Sequence, residues 1–461
     1  MKFLLTSILA YSVAASPLDL ENRQTGRTAV VDLAGRQGSP QQLASGIIYG
    51  TPDTLNQIPD NFYTGPKLKY FRAGGAQLFN VGQRGWHWGE YGPRFQSTLS
   101  NYQTARKYGG EFQLLVHDIW GTDTTNSSTA WPGDNGNWAS YDAFLNRLIA
   151  DIKANNMLPG LKIDIWNEAD NIIFWKRPLS QYLETWKRTY QRFRADGITR
   201  AIPLIGPSHA AEPTDNNPWW TEFMQYIVAQ NVIPDQYTWH ILAAATNPVS
   251  DLQVNVVTMN SFFARYGAPR RSYCINEYIN AGEDRVNSAN VWHMARLERY
   301  NATGLRANWL SQGELHDFLA ELVYRPNAQS PYQPNGQWQM YNYYAQSMTG
   351  TKLATTGSGD RAFDVFATLG SDRKVRILTG VRAQTGTWEI EVRNLGALGL
   401  PAAGSITIQT LGFDDPGLRS VVTGPSNRGL YTHTYSGGVL RFPVYQTQAD
   451  AKTAWAFEFN V

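Results

Sequence analysis

An α/β fold in two parts is predicted: a (β/α)8 barrel with an appended, discontinuous β-sandwich domain. Three observations predict it. From Ile47 to Trp309, short apolar segments of strand character occur eight times, mostly separated by stretches of helical periodicity, and strands alternating with helices form parallel sheets. Beyond a Pro-, Gln- and Asn-rich connector at 326–337, helical periodicity disappears and short alternating strands follow one another across Gly- and Asn-bearing turns. Two of the eight strands end in the same dipeptide, Asn167-Glu168 and Asn276-Glu277, and the carboxyl ends of parallel strands are where such a barrel collects its chemistry.

The elements follow in order. Residues 1–15 read as a secretory signal peptide: Lys2 gives the positive start, 3–13 the apolar stretch, and Val13-Ala14-Ala15 the small-residue cleavage site. Pro17 disfavours cutting after Ser16, so Ser16 is the expected first residue of the mature chain. A strand at 28–33 precedes the barrel and is expected to complete the sandwich, so the barrel is assigned to 41–345 and the sandwich to 16–40 plus 346–461. The eight barrel strands are placed at 45–50, 68–72, 112–118, 161–168, 202–205, 236–242, 271–275 and 304–309. Between them, 137–156 carries Trp138, Tyr141, Phe144, Leu145, Leu148, Ile149 and Ile152 at three-and-four spacing, an amphipathic helix. Further helices are expected at 180–196 (Ser180 as N-cap), 218–231, 252–266, 288–300 and 314–324. Sandwich strands are expected at 365–367, 375–378, 388–392 and 405–408.

Composition narrows the function. The 461 residues are 42% hydrophobic, ample for a core, and 17% charged, below the ~25% of an average soluble chain. A net charge of +2 and the lack of a basic run with interleaved aromatics argue against nucleic acid. After the leader no run of about 18 apolar residues exists to span a membrane. The chain is therefore expected to be a secreted, soluble, extracellular monomer. Its sequons Asn126-Ser127-Ser128 and Asn301-Ala302-Thr303 make Asn126 and Asn301 candidate glycosylation sites. With 16 Trp and 24 Tyr it is rich in flat rings with polar tips, suited to stacking on sugars as well as to a core. The single cysteine, Cys274, excludes an internal disulfide and reads as a buried thiol. No spacing for a metal centre, no Gly-x-Ser-x-Gly elbow and no phosphate-cradling loop is present, so neither metal nor cofactor is expected.

Glu168 and Glu277 end the fourth and seventh strands, which both aim side chains across the mouth of an eight-strand ring. Two carboxylates facing one another suit hydrolysis of a glycosidic bond: one protonates the leaving oxygen, the other faces the anomeric carbon. Carboxyl groups ~5–5.5 Å apart retain configuration and ~6.5–9.5 Å apart invert it. On Trp166-Asn167-Glu168 and Ile275-Asn276-Glu277-Tyr278, with Arg72 ending strand two, His240 on strand six and Trp309 ending strand eight, the chain resembles the clan A retaining glycoside hydrolases. Within that clan it is most similar to family 39, which includes β-xylosidases. The resemblance covers most of the mature chain, terminal sandwich included. It implies Glu168 as acid/base and Glu277 as nucleophile.

Charge then suggests further roles. Glu277 as a neighbouring anion is expected to raise the pKa of Glu168. Asn167 would donate to the sugar 2-hydroxyl, and Arg72 would hold Glu277 ionised. His117, Asp118 and His240 would bind sugar hydroxyls, and Trp309 would floor the site. Of the loop tryptophans 86, 88, 120, 175, 219 and 220, Trp120 and Trp175 are the first candidates for subsites. The sequence departs from the family in two places. Ala169 follows Glu168 where Pro is common, and His240 is followed by Ile241-Leu242 in place of His-x-Tyr. Tyr278 or Tyr237 is therefore expected to supply the missing donor to Glu277. The expected activity is exo-acting, β-xylosidase- or arabinosidase-like. The alternatives are an endo-acting glycanase with an open cleft and a carbohydrate-binding barrel without catalysis.

Overall fold

The computed structural model describes residues 26–461; the expected signal peptide and first mature residue lie outside the described residues. After β1 (Thr28–Arg36) the chain forms β2 (Gly46–Ile48), β3 (Tyr70–Ala73), β4 (Glu111–Leu115), β5 (Leu161–Asp164), β6 (Leu204–His209), β7 (Gln236–Ile241), β8 (Ser272–Tyr278) and β9 (Ala302–Arg306). Strands β2 to β9 pair in sequence order, all parallel, and β9 returns to β2 to close the ring. The eight strands are the eight expected ones, so the (β/α)8 barrel is borne out.

The helices outside the ring follow their apolar stripes. Ala139–Ala154 buries Tyr141, Phe144, Leu145, Leu148, Ile149 and Ile152, the three-and-four set read from the sequence. Leu179–Ala195 buries Leu183, Trp186 and Phe193 in the same way, but it starts behind Pro178 and Ser180 does not cap it. Two expectations fail at strand ends. The third barrel strand stops at Leu115, and Val116–Trp120 is a turn of helix, so His117 and Asp118 stand on that turn. No helix forms at 314–324. Phe318, Leu319, Ala320 and Glu321 all adopt positive φ, a left-handed turn that leads into the short ribbon β10 (Val323–Tyr324) and β11 (Gln333–Pro334). The helix after the eighth strand is Gly336–Gln346, begun by Asn335, whose side chain accepts from the Gln337 and Trp338 amides.

The bore of the barrel is filled largely with polar side chains in place of a branched aliphatic core. Near its amino end Lys162 donates to Gln236 and pairs with Glu111. Above them Gln113 on β4 donates to buried Cys274 on β8, 3.3 Å across the bore. Higher still, Arg72, Asp164, Ser208 and Asn276 form a buried layer that supports the mouth.

The remaining strands are β12 (Thr351–Thr356), β13 (Phe363–Leu369), β14 (Lys374–Val381), β15 (Gly386–Arg393), β16 (Gly404–Phe413), β17 (Ser426–Tyr435), β18 (Leu440–Gln446) and β19 (Ala454–Asn460). They fold over a core of their own that includes Val31, Ile377, Trp388, Ile390, Phe442 and Phe457. β1 lies between β12, to which it is antiparallel, and β15, to which it is parallel. The helix Asn287–Tyr300 packs on β13 and β14 so closely that a Cβ on Gly380 would stand 1.9 Å from the Ser288 carbonyl. Only glycine fits there.

Candidate active site

Strand β5 ends at Asp164, and the next residues turn Asn167 and Glu168 over the mouth. Glu168 takes φ +45°, an unfavourable region for a side-chain-bearing residue, and its amide donates to the Ser208 carbonyl (2.8 Å) on β6. The loop beyond it is pinned: Asp170 accepts from the Ala210 and Ala211 amides at 2.8 and 2.9 Å, and the Trp166 indole donates to the Phe174 carbonyl. Ala169, which follows Glu168, is buried.

Arg72, fully enclosed, organises the layer beneath. Its Nε donates to Asp164 (2.9 Å), its Nη1 to Glu277 (2.6 Å) and its Nη2 to Asn167 Oδ1 (2.6 Å). A guanidinium only donates, so it fixes the Asn167 amide with its oxygen toward Arg72 and leaves Nδ2 without a protein acceptor. Asp164 also accepts from Ser208 and Asn276, so each carboxylate oxygen beneath the site is occupied. The sequence reading missed Asp164, Ser208 and Asn276 as a supporting network. An aspartate inside an apolar strand was the available signal.

His240 joins the two glutamates. Its Nδ1 lies 2.8 Å from Glu168 Oε1 and its Nε2 3.6 Å from Glu277 Oε1. Asn171 donates to the other Glu168 oxygen at 2.8 Å. One carboxylate oxygen of each glutamate and one ring nitrogen of His240 lie within 4.8 Å of one another, the one such grouping among the described residues close enough for a cation. Arg72 already lies on Glu277, and the imidazole is held between two anions, so the trio is arranged to share a proton.

The shared proton corrects an expectation. Burial alone would lift the Glu168 carboxyl, but the hydrogen bond and charge of His240, with help from Asn171 and Arg72, hold it below the usual carboxylate value. Burial opposes a charged imidazole, yet Glu277 and Glu168 together raise the His240 pKa above its ordinary value. Each partner of this hydrogen bond is thus shifted toward its charged form, so the two groups titrate together. The raised Glu168 pKa expected from its anionic neighbour does not arise because the hydrogen bond and charge interaction with His240 pull it the other way.

Other expected residues fall elsewhere. Tyr278 does not reach Glu277: its hydroxyl meets Tyr341 (2.6 Å) and the Ala44 carbonyl, outside the bore. Tyr237 likewise donates to the Pro269 carbonyl. Arg72 and His240 are the groups that face Glu277. Asp118 is not free for a ligand, since its oxygens are taken by His117 (2.9 Å) and by the Tyr49 hydroxyl, which in turn accepts from the Gly74 and Ala76 amides. His117 is enclosed with it, its ring against Phe174 and Trp166. Trp120 and Trp175 are core residues at 2% exposure, packed on Tyr141 and Phe144, and on Trp131 and Trp166. Trp309 is different. It is 41% exposed, and its indole is tethered to the Ile279 carbonyl at 3.1 Å just beyond β8. Trp88, 38% exposed, is the other tryptophan offering a large open surface in the loops after the strands. Asn126 and Asn301 both stand at exposed positions.

Comparison with known proteins places the fold. No protein-family model matches the sequence, and no curated protein does. Among solved structures, the chain is similar to the protein N2152 from Neocallimastix frontalis, with TM-score 0.72 and 19% identity over 95% of this chain and 100% of that one. A glucosidase from Croceicoccus marinus matches with TM-score 0.60 and 14% identity over 95% and 99% of the two chains. A monomeric β-xylosidase from Caulobacter crescentus matches with TM-score 0.56 and 12% identity over 94% and 99%. Family 39 enzymes are among the solved structures that share the architecture, barrel and appended sheet domain together. At these identities the likeness is one of fold, and the site residues must speak for the chemistry.

Proposed function

We propose that this protein is a secreted retaining glycoside hydrolase that cleaves O-glycosidic bonds of sugars derived from oligo- or polysaccharides, with exo-acting, β-xylosidase- or arabinosidase-like specificity. One observation carries the reading: carboxylate oxygens of Glu168 and Glu277, from opposite parts of the ring, lie within 4.8 Å of each other across the mouth. So short an approach of one oxygen to the other fits the closer carboxyl spacing of retaining enzymes better than the wider spacing of inverting ones. The shared fold of solved glucosidases and xylosidases supports it.

In this reading Glu277, paired with Arg72, attacks the anomeric carbon, and the Glu168–His240 pair supplies the proton to the departing oxygen. The bond from anomeric carbon to leaving oxygen breaks as the bond to Glu277 forms. The pair, having given up that proton, is left as the Glu168 carboxylate beside a neutral His240, and it then takes a proton from water, whose oxygen displaces Glu277. The Asn167 Nδ2 donates to the sugar 2-hydroxyl as positive charge develops at the neighbouring carbon.

A panel of nitrophenyl glycosides and plant-wall polysaccharides identifies the sugar, and proton NMR of the first product reports its configuration. Retention is expected, and initial inversion would rule out the double displacement. Glu168→Ala should lose most activity on natural substrates. On aryl glycosides azide should restore it, trapping a glycosyl azide of unchanged anomeric configuration; no rescue would remove Glu168 from the acid/base role.

A further inference from the structure

We infer that Arg382, which the sandwich domain contributes, is a positioning residue for the barrel's active site. It ties together the loops that follow β7 and β8, the strands that carry His240 and Glu277. The activity arm of this inference rests on the glycosidase reading above.

Arg382 directly follows β14, and its backbone amide is fixed to the Ala362 carbonyl at 2.8 Å. Its side chain leaves the sandwich and is only 4% exposed. The guanidinium carbon lies 5.0 Å from the centre of the Trp292 ring, on the barrel helix that packs against β13 and β14. From there it donates in three directions. Nε reaches both oxygens of Glu283 at 3.1 and 3.0 Å, in the turn after β8. Nη2 reaches the Ala243 carbonyl at 3.0 Å and the Ser250 hydroxyl at 3.1 Å, and Nη1 reaches the Ser250 carbonyl. Ala243 and Ser250 stand at the two ends of the loop after β7.

The loops are also joined to each other at this point. Asn280 donates to both the Ala243 carbonyl (3.3 Å) and Glu283 (3.1 Å), and the Ile279 amide donates to the Ile241 carbonyl (3.1 Å). Ile241 is adjacent to His240, and Ile279 lies two residues beyond Glu277 and accepts from Trp309. Movement of either loop therefore passes into the 3.6 Å separation between His240 and Glu277: Ala243 is separated from His240 by two residues, and Glu283 acts through Asn280 and Ile279. Arg296 and Arg299 also meet Asp364 across the domains, and Arg296 reaches Asp251 beside Ser250, but of these three arginines only Arg382 spans from the loop after β7 to the turn after β8. Arg382 suits the task because its flat fork serves a carboxylate and two carbonyls at once, which an ammonium group does not.

The test compares Arg382→Ala and Arg382→Lys with the full-length wild type. Displacement of catalytic groups by a fraction of an ångström should lower kcat by about 10- to 100-fold, with KM changed little. Arg382→Lys should fall between, and guanidinium ions at tens of millimolar should restore part of the Arg382→Ala loss. A lowered melting temperature with unchanged kcat, or no rescue of a folded Arg382→Ala, would overturn the inference. Should Arg382→Ala not fold, Arg382→Lys alone decides through its kcat. A second readout needs no substrate. In histidine-labelled protein, which has seven histidines, the His240 ring resonances should shift in Arg382→Lys while the other rings away from the loops stay put. That shift in a protein inactive on every glycoside would retain the clamp and discard the glycosidase reading. Unmoved resonances in an active enzyme of normal kcat would do the reverse.

Discussion

The mouth of the barrel and the seam between barrel and sandwich both bury arginine–carboxylate pairs, and they use them differently. At the seam, Asp364 is fully enclosed and both of its oxygens receive arginine, Arg296 on one and Arg299 on both. At the mouth, Arg72 is as deeply buried, but the Glu277 and Glu168 side chains keep 14% and 9% of their surface open. One imidazole serves both. A closed pair returns little beyond structure, because desolvation cancels most of its Coulomb attraction. An open pair leaves charge that a ligand can meet. Burial of a charge is thus a poor guide to function, whereas incomplete satisfaction at the end of a barrel strand is a good one.

The sharpest way to break this comparison is to remove one carboxylate from each region. Glu277→Ala should lower kcat by at least about 10⁴-fold, as loss of a nucleophile does. Its thermal melt should stay near or above that of the wild type, since only a partly satisfied charge is lost. Near-normal turnover of Glu277→Ala on an activated aryl glycoside would end the assignment. Asp364→Ala should do the opposite. Taking the shared carboxylate from two buried guanidinium groups, of which Arg296 keeps Asp251 and Arg299 keeps Thr355, should cost about 3 kcal/mol of unfolding free energy, read by denaturant titration. The kcat of its folded fraction should remain within a few-fold of wild type, and a large loss there would show that the two regions are not separable in this way.

The proton shared at the mouth gives a smaller effect, on pH dependence. The Glu168 and Glu277 carboxyl groups face His240, Arg72 opposes their effect on it, and His209 lies near it on β6. The imidazole pKa is raised by the carboxylates, so the transferable proton persists above the ordinary histidine value of ~6.5 and is lost as pH rises further. The alkaline limb of kcat/KM should therefore lie above that value in the wild type and move toward acid in His240→Gln. The pair's contribution to stability carries the same sign. The raised His240 contribution is complete below ~6.5 and is lost on going alkaline, while the lowered Glu168 contribution is lost only in acid. An alkaline limb that does not move would place the proton elsewhere.

The barrel was legible because strand spacing and helical stripes are local signals. Leu161, Ile163 and Ile165 announce a strand whatever surrounds them. The two glutamates were legible because each follows an asparagine at a strand end. The rest depends on contacts distant in sequence. Glu168 and His240 are 72 residues apart, and no local pattern reveals that an imidazole will stand between the two carboxyl groups. The expected tyrosine donor failed for a related reason: Tyr278 immediately follows Glu277, and successive residues of a strand point to opposite faces. The helix expected at 314–324 failed because that segment must pass beneath Gly50. The Leu319 amide donates to the Gly50 carbonyl, which forces the turn left-handed where apolar periodicity alone suggests a helix.

The smallest predicted effect separates tryptophans that look alike in sequence. Trp309 presents its open face at the mouth while its indole is held by Ile279, whereas Trp120 and Trp175 are enclosed by other rings. Covering the open part of one indole with the apolar face of a sugar should contribute about 1–2 kcal/mol, less than full burial of an aromatic side chain. Trp309→Ala should accordingly reduce kcat/KM by about 5- to 30-fold, mostly through KM, with the melting temperature nearly unchanged. Trp120→Phe and Trp175→Phe should lower the melting temperature and leave KM alone. If Trp175→Phe raised KM as Trp309→Ala does, the subsite would extend behind the fourth strand. The distinction between open and closed groups would then fail for rings even if it held for charges.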